Sequence, residues 1–325
     1  MRQGRNADIG RRWLARLTLL ILLATLGINL LSAYIRHVEA GLGCDDWPDC
    51  YARIGVHVSE HGQAIARTAL APQPFAKLTH RGVATALVVM VLVLVHRSRR
   101  QLSGTEAQLP LAMAGLLLAL AVIGPASYLK TRPAIATANL LGGIALAALG
   151  WRLYLSLSNT PRVNVASWPR KLVRASLALL LVQLALGAWL SANFAALGCT
   201  TADGCMPGRG IGAAFWYLRE LALDGNGRVI ADAGTAAILI AHRIGAALAV
   251  PLLLLTAVMA ARASVTLRRN ALLVLALVSL QAMLGLCALV FSLPLAVVLA
   301  HSTVAALLLL AMLRLDYLTG GAASI

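Results

Sequence analysis

The sequence predicts an all-α membrane protein whose eight transmembrane helices form two tandem four-helix bundles. Three observations carry this prediction: the composition, the length of the apolar runs, and a set of motifs that recurs along the chain. Of the 325 residues, 60% are hydrophobic and only 12% are charged, and the mean hydropathy is +0.81. Soluble domains are nearer a quarter charged. Most of this chain is therefore expected to lie in lipid.

Eight apolar runs are long enough to cross a bilayer, because a spanning helix needs about 20 apolar residues. They cover roughly residues 13–35, 78–96, 109–129, 134–156, 172–195, 233–261, 270–291 and 295–315. The first run follows Arg11 and Arg12 and resembles a signal peptide at first sight. It is too long for a signal-peptide core and has no clean cleavage site. We predict that it is an uncleaved membrane helix.

The net charge of +16 does not indicate a nucleic-acid-binding protein, because the basic residues lie in short connections and aromatic residues make up only 5%. The clusters are Arg97, Arg99 and Arg100; Arg162, Arg170, Lys171 and Arg174; and Arg262, Arg268 and Arg269. These connections alternate with others that are poorer in basic residues, as the positive-inside rule describes. The pattern predicts a bacterial inner (plasma) membrane protein with both termini in the cytoplasm.

Several motifs occur once in each half of the chain. They are a C-x5-C pair in an outer connection, a His-Arg dipeptide and a Leu-Ser-Ala triplet: Cys44 and Cys50, Cys199 and Cys205, His80-Arg81, His242-Arg243, Leu31-Ser32-Ala33, and Leu190-Ser191-Ala192. Several such coincidences together favour a tandem repeat. We predict an N-terminal bundle at 1–157 and a C-terminal bundle at 158–325. Each crosses the membrane an even number of times, so both have the same orientation.

Two histidines of the C-terminal half are the strongest candidates for a cofactor site. His242 and His301 lie within apolar sequence, near the outer ends of their helices. Polar groups in hydrocarbon are costly and usually functional. Two imidazoles at similar depth in a four-helix bundle are typical of the bis-histidine heme site of membrane cytochromes. The alternative is that each histidine only makes a hydrogen bond between helices.

The N-terminal half has one corresponding histidine, His80. His301 follows His242 by 59 residues, and the residue at the same distance after His80 is Asn139. A heme at His80 would then have one strong axial ligand and one open side, as oxygen or substrate chemistry requires. The alternative is a decayed site in which Asn139 only hydrogen-bonds between helices. Arg81 and Arg243 follow their histidines and suit a heme propionate, or they extend to the membrane interface.

The cysteine pairs Cys44–Cys50 and Cys199–Cys205 are predicted to form two disulfides, because an outer connection faces an oxidising compartment. An exchangeable thiol pair remains the alternative, whereas the spacing does not favour zinc. Cys287 lies within an apolar run and is predicted to pack there. The remaining histidines are predicted to be solvated or interfacial: His37, His57, His61 and His96. Glycine-rich phosphate loops and common hydrolase motifs do not occur in the sequence.

Longer motifs resemble the heme A synthase family over nearly the whole chain. Residues 39–50 read E-A-G-L-G-C-D-D-W-P-D-C, which is similar to the cysteine-containing outer loop of that family. Thr79-His80-Arg81 and Ala241-His242-Arg243 resemble its two His-Arg helix starts. Gln183 with Leu186-Gly187-Ala188 and Gln281 with Leu284-Gly285 resemble its Q-x-x-L-G signature. Arg132-Pro133 through Asn139 to Gly143 resembles the segment that carries the family's fourth histidine.

The resemblance implies an enzyme that oxidises the C8 methyl group of heme O to a formyl group, giving heme A for terminal oxidases. It also implies a heme b cofactor on the iron ligands His242 and His301. Substrate heme O would bind in the N-terminal half, with its iron at His80. The sequence departs from the family pattern in that half alone. Asn139 replaces a histidine, and Lys77 replaces the glutamate three residues before His80.

Two main hypotheses follow from these features. The first is a heme A synthase, or a close variant, that passes electrons through a heme at His242 and His301. The second is a non-catalytic heme b protein that assists oxidase assembly or heme delivery, which Asn139 and Lys77 favour. An electron-transfer cytochrome that oxidises quinol is a weaker third hypothesis. Expected partners are heme O, the bilayer, heme O synthase, oxidase assembly factors and another copy of the chain, but not nucleic acid.

Overall fold

The computed structural model describes residues 2–39, 73–124, 131–165, 167–197, 211–222, 232–291 and 293–320. It contains eight long helices: α1 (Arg2–Glu39), α2 (Gln73–Ser98), α3 (Gly104–Ile123), α4 (Pro133–Leu157), α5 (Ser167–Ala192), α6 (Ala233–Ala263), α7 (Val265–Val290) and α8 (Leu295–Thr319). Each has a stretch long and apolar enough to cross a membrane. No strand occurs within the described ranges. The predicted class, an all-α membrane protein with eight spans, is confirmed.

Local sequence signals set several of the helix ends. α4 begins at Pro133, whose fixed backbone angle and missing N–H suit the first helical position. Asp232 caps α6 by accepting a 3.0 Å hydrogen bond from the Thr235 N–H. Ser264 caps α7 by accepting one from the Thr266 N–H at 3.2 Å. Such caps satisfy donors that the helix leaves open, which lets α7 begin directly after this single residue.

The first helix is longer than predicted. α1 continues to Glu39, so His37 belongs to the helix and is buried, with 5% of its surface exposed. The interpretation of His37 as a solvated or interfacial histidine is therefore wrong. His96, near the end of α2, is exposed as predicted. His57 and His61 lie outside the described residues.

The helices contact one another in two closed rings. In the first, α1 contacts α2 and α4, and α3 contacts the same two helices. In the second, α5 contacts α6 and α8, and α7 contacts those two. Each ring encloses its own apolar cluster, which includes Leu14, Leu94 and Met113 in the first ring and Leu267 and Met312 in the second. Many other large apolar side chains face outward, as lipid-facing positions require.

The two ends of the helices differ in chemistry. We call one end the basic face: it holds the connections α2–α3, α4–α5 and α6–α7, together with their arginine clusters. We call the other end the histidine face: it holds the connections α1–α2, α3–α4, α5–α6 and α7–α8. His80, His242 and His301 lie nearer this second face. The three candidate ligands therefore lie at similar depths, each within the first ten residues of its helix.

Several contacts cross between the two rings. At the histidine face the Arg36 Nε donates to the Ser191 Oγ at 3.2 Å. Toward the basic face the indole N–H of Trp151 donates to the Leu310 carbonyl at 2.7 Å. These bonds, together with contacts of α4 with α5 and α8 and of α1 with α8, connect the rings along their length.

Candidate functional site

His242 is held by α5, the neighbouring helix. The side-chain amide of Gln183 lies with its Nε2 at 3.2 Å from the His242 Nδ1, and this Nε2 donates to the His242 carbonyl at 3.0 Å. Gly187 follows Gln183 by one helical turn and faces the imidazole. A Cβ atom at Gly187 would lie 3.3 Å from the ring carbon Cε1. The absence of a side chain at residue 187 therefore makes room for the ring.

His301 also has a glutamine and a glycine beside its ring, both on α7. The Gln281 Nε2 lies 3.0 Å from the His301 Nε2, and a Cβ atom at Gly285 would lie 3.3 Å from the His301 Cε1. The spacing of Gln281 and Gly285 equals that of Gln183 and Gly187. Each histidine of the C-terminal half is thus accompanied by a glutamine at hydrogen-bond distance and a glycine against its ring.

These partners leave one nitrogen of each imidazole available. The His301 Nδ1 is buried and has no hydrogen-bond partner among the described residues, and none is found there for the His242 Nε2. Buried polar atoms without partners are rare in proteins. Metal-binding histidines typically use one ring nitrogen for the metal and the other for a neighbouring polar group. The two imidazoles are also near enough to interact electrostatically. The residues present therefore fit a bis-histidine heme.

His80 has a different environment. Its Nε2 lies 2.9 Å from the hydroxyl oxygen of Ser32 on α1. Two guanidinium groups, of Arg36 and Arg81, are near enough to act electrostatically on its imidazole. Guanidinium groups of this kind suit a carboxylate-bearing ligand.

Asn139 is half-buried on α4, and its side chain makes no hydrogen bond in the described part of the chain. Other polar atoms near this end of α1 and α4 lack partners there as well: the Thr137 hydroxyl and the Asn29 Nδ2. Asn29 packs against Gly143, where any Cβ atom would collide with its amide oxygen. The N-terminal bundle therefore has a polar interior at the level of His80, although the predicted second imidazole is absent.

The glutamine and glycine that accompany His301 are also missing from the N-terminal half. Gln281 and Gly285 precede His301 by 20 and 16 residues, and the same distances before Asn139 lead to Ala119 and Ile123 on α3. Leu120 packs against Gly142, and in antiparallel helices this register puts Ile123 level with Asn139. Counted in this way, the N-terminal half has no imidazole at residue 139, no glutamine at residue 119 and no glycine at residue 123.

A buried arginine lies at the histidine face of the C-terminal half. Arg219 lies in the 211–222 segment, is 8% exposed, and donates from its Nε to the Asn193 Oδ1 at 3.0 Å. Its NH2 donates to the Asp232 carboxylate at 2.6 Å. Burial raises the pKa of Asp232, but the bonds from Arg219 and the Thr235 N–H outweigh this and leave the pKa lowered. The network fixes the 211–222 segment to the ends of α5 and α6.

The same segment also reaches the N-terminal half. The Leu221 N–H donates to the Thr131 carbonyl at 2.9 Å, and Glu220 forms a 3.0 Å ion pair with Arg132. The connection between α3 and α4 is thereby held by a loop of the other ring. Neither Arg219 nor these contacts could be predicted from the sequence, because a single basic residue in a polar loop has no distinguishing pattern.

The remaining predicted site residues are less constrained. Arg243 is exposed and has no hydrogen bond or ion pair within the described ranges, so its guanidinium is available to a carboxylate. Cys287 is a half-buried free cysteine, in agreement with a packing role. Both C-x5-C pairs lie outside the described residues: Cys44 with Cys50, and Cys199 with Cys205. The two predicted disulfides therefore stay predictions.

The glycine beside each ring allows a direct test of the geometry. Gly187→Ala and Gly285→Ala are each expected to displace an imidazole by a few tenths of an ångström, because the new Cβ would lie 3.3 Å from it. We expect about 10-fold weaker heme retention, the size of effect seen when atoms that orient a metal ligand are disturbed. Heme content and the absorption spectrum of purified protein measure this. Gly115→Ala is the control, since a Cβ atom there meets open space. Equal retention in all three variants would contradict the assigned contacts.

Comparisons with known proteins identify the family. Residues 15–313 match the family COX15-CtaA, described as cytochrome oxidase assembly protein. A relative from Shewanella oneidensis named Heme A synthase is 34% identical over 321 residues, which cover 94% of this chain and 95% of the relative. The family resemblance inferred from the motifs is confirmed. The chain is a multi-pass membrane protein that belongs to the cytochrome oxidase assembly protein family.

Proposed function

We propose that this protein is a heme A synthase, which oxidises the C8 methyl group of heme O to a formyl group for cytochrome oxidase maturation. The observation that carries the proposal is the paired arrangement of His242 and His301, each with its own glutamine and glycine. The full-length similarity to a relative named Heme A synthase supports it. The reaction replaces two hydrogens of the methyl group with one oxygen. With water as the oxygen source it releases four electrons and four protons, so it needs an electron acceptor of matching capacity.

The C-terminal bundle, residues 158–325, would hold heme b. When bound, heme b supplies one-electron redox chemistry, through which the electrons would leave one at a time. His242 and His301 would hold its iron. Gln183 and Gln281 would fix the orientation of the two rings through the contacts at 3.2 Å and 3.0 Å, and Arg243 would bind a propionate. The closed ring of contacts among α5 to α8 supports this bundle as one unit.

The N-terminal bundle, residues 1–157, would bind the substrate heme O. His80 would bind the substrate iron on one side, with Ser32 orienting its imidazole at 2.9 Å. Arg36 and Arg81 would balance the propionate charges. Asn139 is a weak iron ligand, which leaves the opposite side of the substrate open for chemistry. The assignment of heme O to this bundle and of heme b to the other rests on the different polar partners of their histidines: Ser32 for His80, and glutamines for His242 and His301.

The membrane orientation and partners are also proposed. The arginine clusters of the basic face support a cytoplasmic location for that face and for both termini, in a bacterial inner membrane. The histidine face would then face outward, where Cys44–Cys50 and Cys199–Cys205 are proposed to form disulfides. Heme O synthase would supply the substrate, and oxidase assembly factors would take the product. A second copy of the chain is a further proposed partner.

The decisive experiment is to extract hemes from a host that lacks heme A synthase but makes this protein and heme O synthase. We expect heme A, or its hydroxylated intermediate, to appear on chromatography. His80→Ala is expected to stop heme A formation while the heme of the C-terminal bundle is retained, because the two sites use different histidines. Recovery of hemes B and O alone from cells that contain folded protein would contradict the proposal.

A second candidate function is a heme b protein that assists assembly or heme delivery without catalysis. The observation that favours it is the joint loss of ligand, partner and space at Asn139, Ala119 and Ile123. In that case, the purified protein holds one heme that is lost in His242→Ala, and the host makes no heme A. The extraction experiment therefore distinguishes the two functions.

A further inference from the structure

A groove opens at the basic face between the ends of α6 and α7, far along the helices from the candidate heme site. Its volume is about 410 Å³, and its lining is six apolar side chains with two arginines: Ala257, Val258, Ala261, Arg262, Arg268, Ala271, Leu272 and Leu275. Both helices are membrane spans. From Arg268 to Leu275 the groove descends about 10 Å along α7, at 1.5 Å per residue. Its apolar part therefore lies within the membrane, and its basic part lies at the surface.

The two arginines of the groove have no partners among the described residues. Neither Arg262 nor Arg268 makes a side-chain hydrogen bond or ion pair in the part of the chain that the structure describes, and both are exposed. The first turn of α7 contains no acidic residue. No aspartate or glutamate lines the groove. Two unpaired positive charges thus lie together at the mouth of an apolar cleft.

The corresponding corner of the N-terminal half is different. There, Glu106 lies in the first turn of α3 and pairs with Arg11 at 3.3 Å. Arg97 stacks over the ring of Trp13, 5.6 Å from its centroid. Arg11 and Arg97 therefore have partners within the protein, whereas Arg99 and Arg100 of the same corner are exposed. The α6–α7 corner is distinguished by two arginines that line an apolar groove.

We propose that this groove binds one anionic phospholipid, with its phosphate between Arg262 and Arg268 and an acyl chain along the apolar wall. Basic pockets between transmembrane helices suit anionic head groups, and a guanidinium can bind phosphate through two hydrogen bonds. Free inorganic phosphate would satisfy the arginines but not the apolar wall. The site is independent of the proposed heme chemistry, because its residues lie at the opposite end of the helices from the candidate ligands.

Native mass spectrometry of the full-length protein tests the proposal, with phosphatidylglycerol and phosphatidylcholine of identical acyl chains as probes. We expect one phosphatidylglycerol to bind preferentially. Each of Arg262→Gln and Arg268→Gln should weaken its binding about fivefold, and the double variant about 30-fold, from the usual contribution of a basic residue near an anionic surface. Ala261→Leu should also lower its occupancy by filling the groove. Phosphatidylcholine binding should be unchanged in the arginine variants.

Arg269→Gln is the matched control, because Arg269 is exposed, adjacent to Arg268 and outside the groove lining. It should retain the wild-type preference for phosphatidylglycerol. An equal loss in Arg269→Gln would mean general surface attraction and would overturn the proposal. Displacement of the lipid by millimolar inorganic phosphate alone would indicate a simple phosphate site and would also overturn it, as would an unchanged preference in the double variant.

Discussion

His242→Ala and His301→Ala are each expected to yield protein without heme b and cells without heme A. Each substitution removes one imidazole of the proposed ligand pair. His301→Ala also leaves the amide of Gln281 without its ring partner, at a cost of about 1–3 kcal/mol for a buried polar group, whereas in His242→Ala the amide of Gln183 keeps its bond to the carbonyl of residue 242. The heme content of purified protein, measured by its absorption spectrum, and the heme A content of the cells report the result.

The matched control for these variants is His96→Ala. His96 also lies on a membrane helix, but it is exposed near the basic face, so its loss should change neither heme content nor heme A formation. Normal chromatographic behaviour of all three variants would separate loss of heme from loss of fold. A full complement of heme b in His242→Ala would exclude the assigned ligand pair.

The second large effect is expected at Asn139. The triple variant Asn139→His, Ala119→Gln, Ile123→Gly should raise the tightly bound heme from one to two per chain, because it supplies the imidazole, its partner and the space that accompany His301. Asn139→His alone should give a smaller gain, since the new ring would lie level with Ile123. Heme-to-protein ratios of purified variants measure this effect.

The control for the triple variant is Ala119→Gln with Ile123→Gly in a chain that keeps Asn139. It adds the polar partner and the space without a second imidazole, so no additional heme should be retained. If Asn139→His alone already gives the full gain, the glutamine and glycine contribute nothing to ligand placement.

Much of the fold could be predicted from the sequence because membrane spans have a simple physical signature. About 20 apolar residues suffice to define a span, and each of the eight predicted runs lies largely within a described helix. The end of α1 could not be predicted in the same way. Residues 36–39 are polar or charged in part, so hydropathy ends the span before them, whereas the helix continues and buries His37.

The candidate site was predicted less completely than the helices. His80, His242 and His301 were identified because an imidazole in apolar sequence is unusual. Gln183 and Gln281 were noted only as part of a family signature, and nothing in the sequence assigned them to particular histidines. Their equal spacing from Gly187 and Gly285 was the available signal. Contacts such as Ser32 with His80 depend on how α1 packs against α2, which periodicity alone does not determine.

The contacts of the 211–222 segment affect which substitutions the protein tolerates. Glu220 and Arg132 form an ion pair although they belong to different repeats, and Leu221 uses the carbonyl of Thr131. A charge reversal at residue 132 is tolerated best when residue 220 reverses as well, so the two positions should co-vary among descendants of this gene. The 211–222 segment thus links the two halves of the chain, so a change of length in the α3–α4 connection would also disturb a loop of the other half.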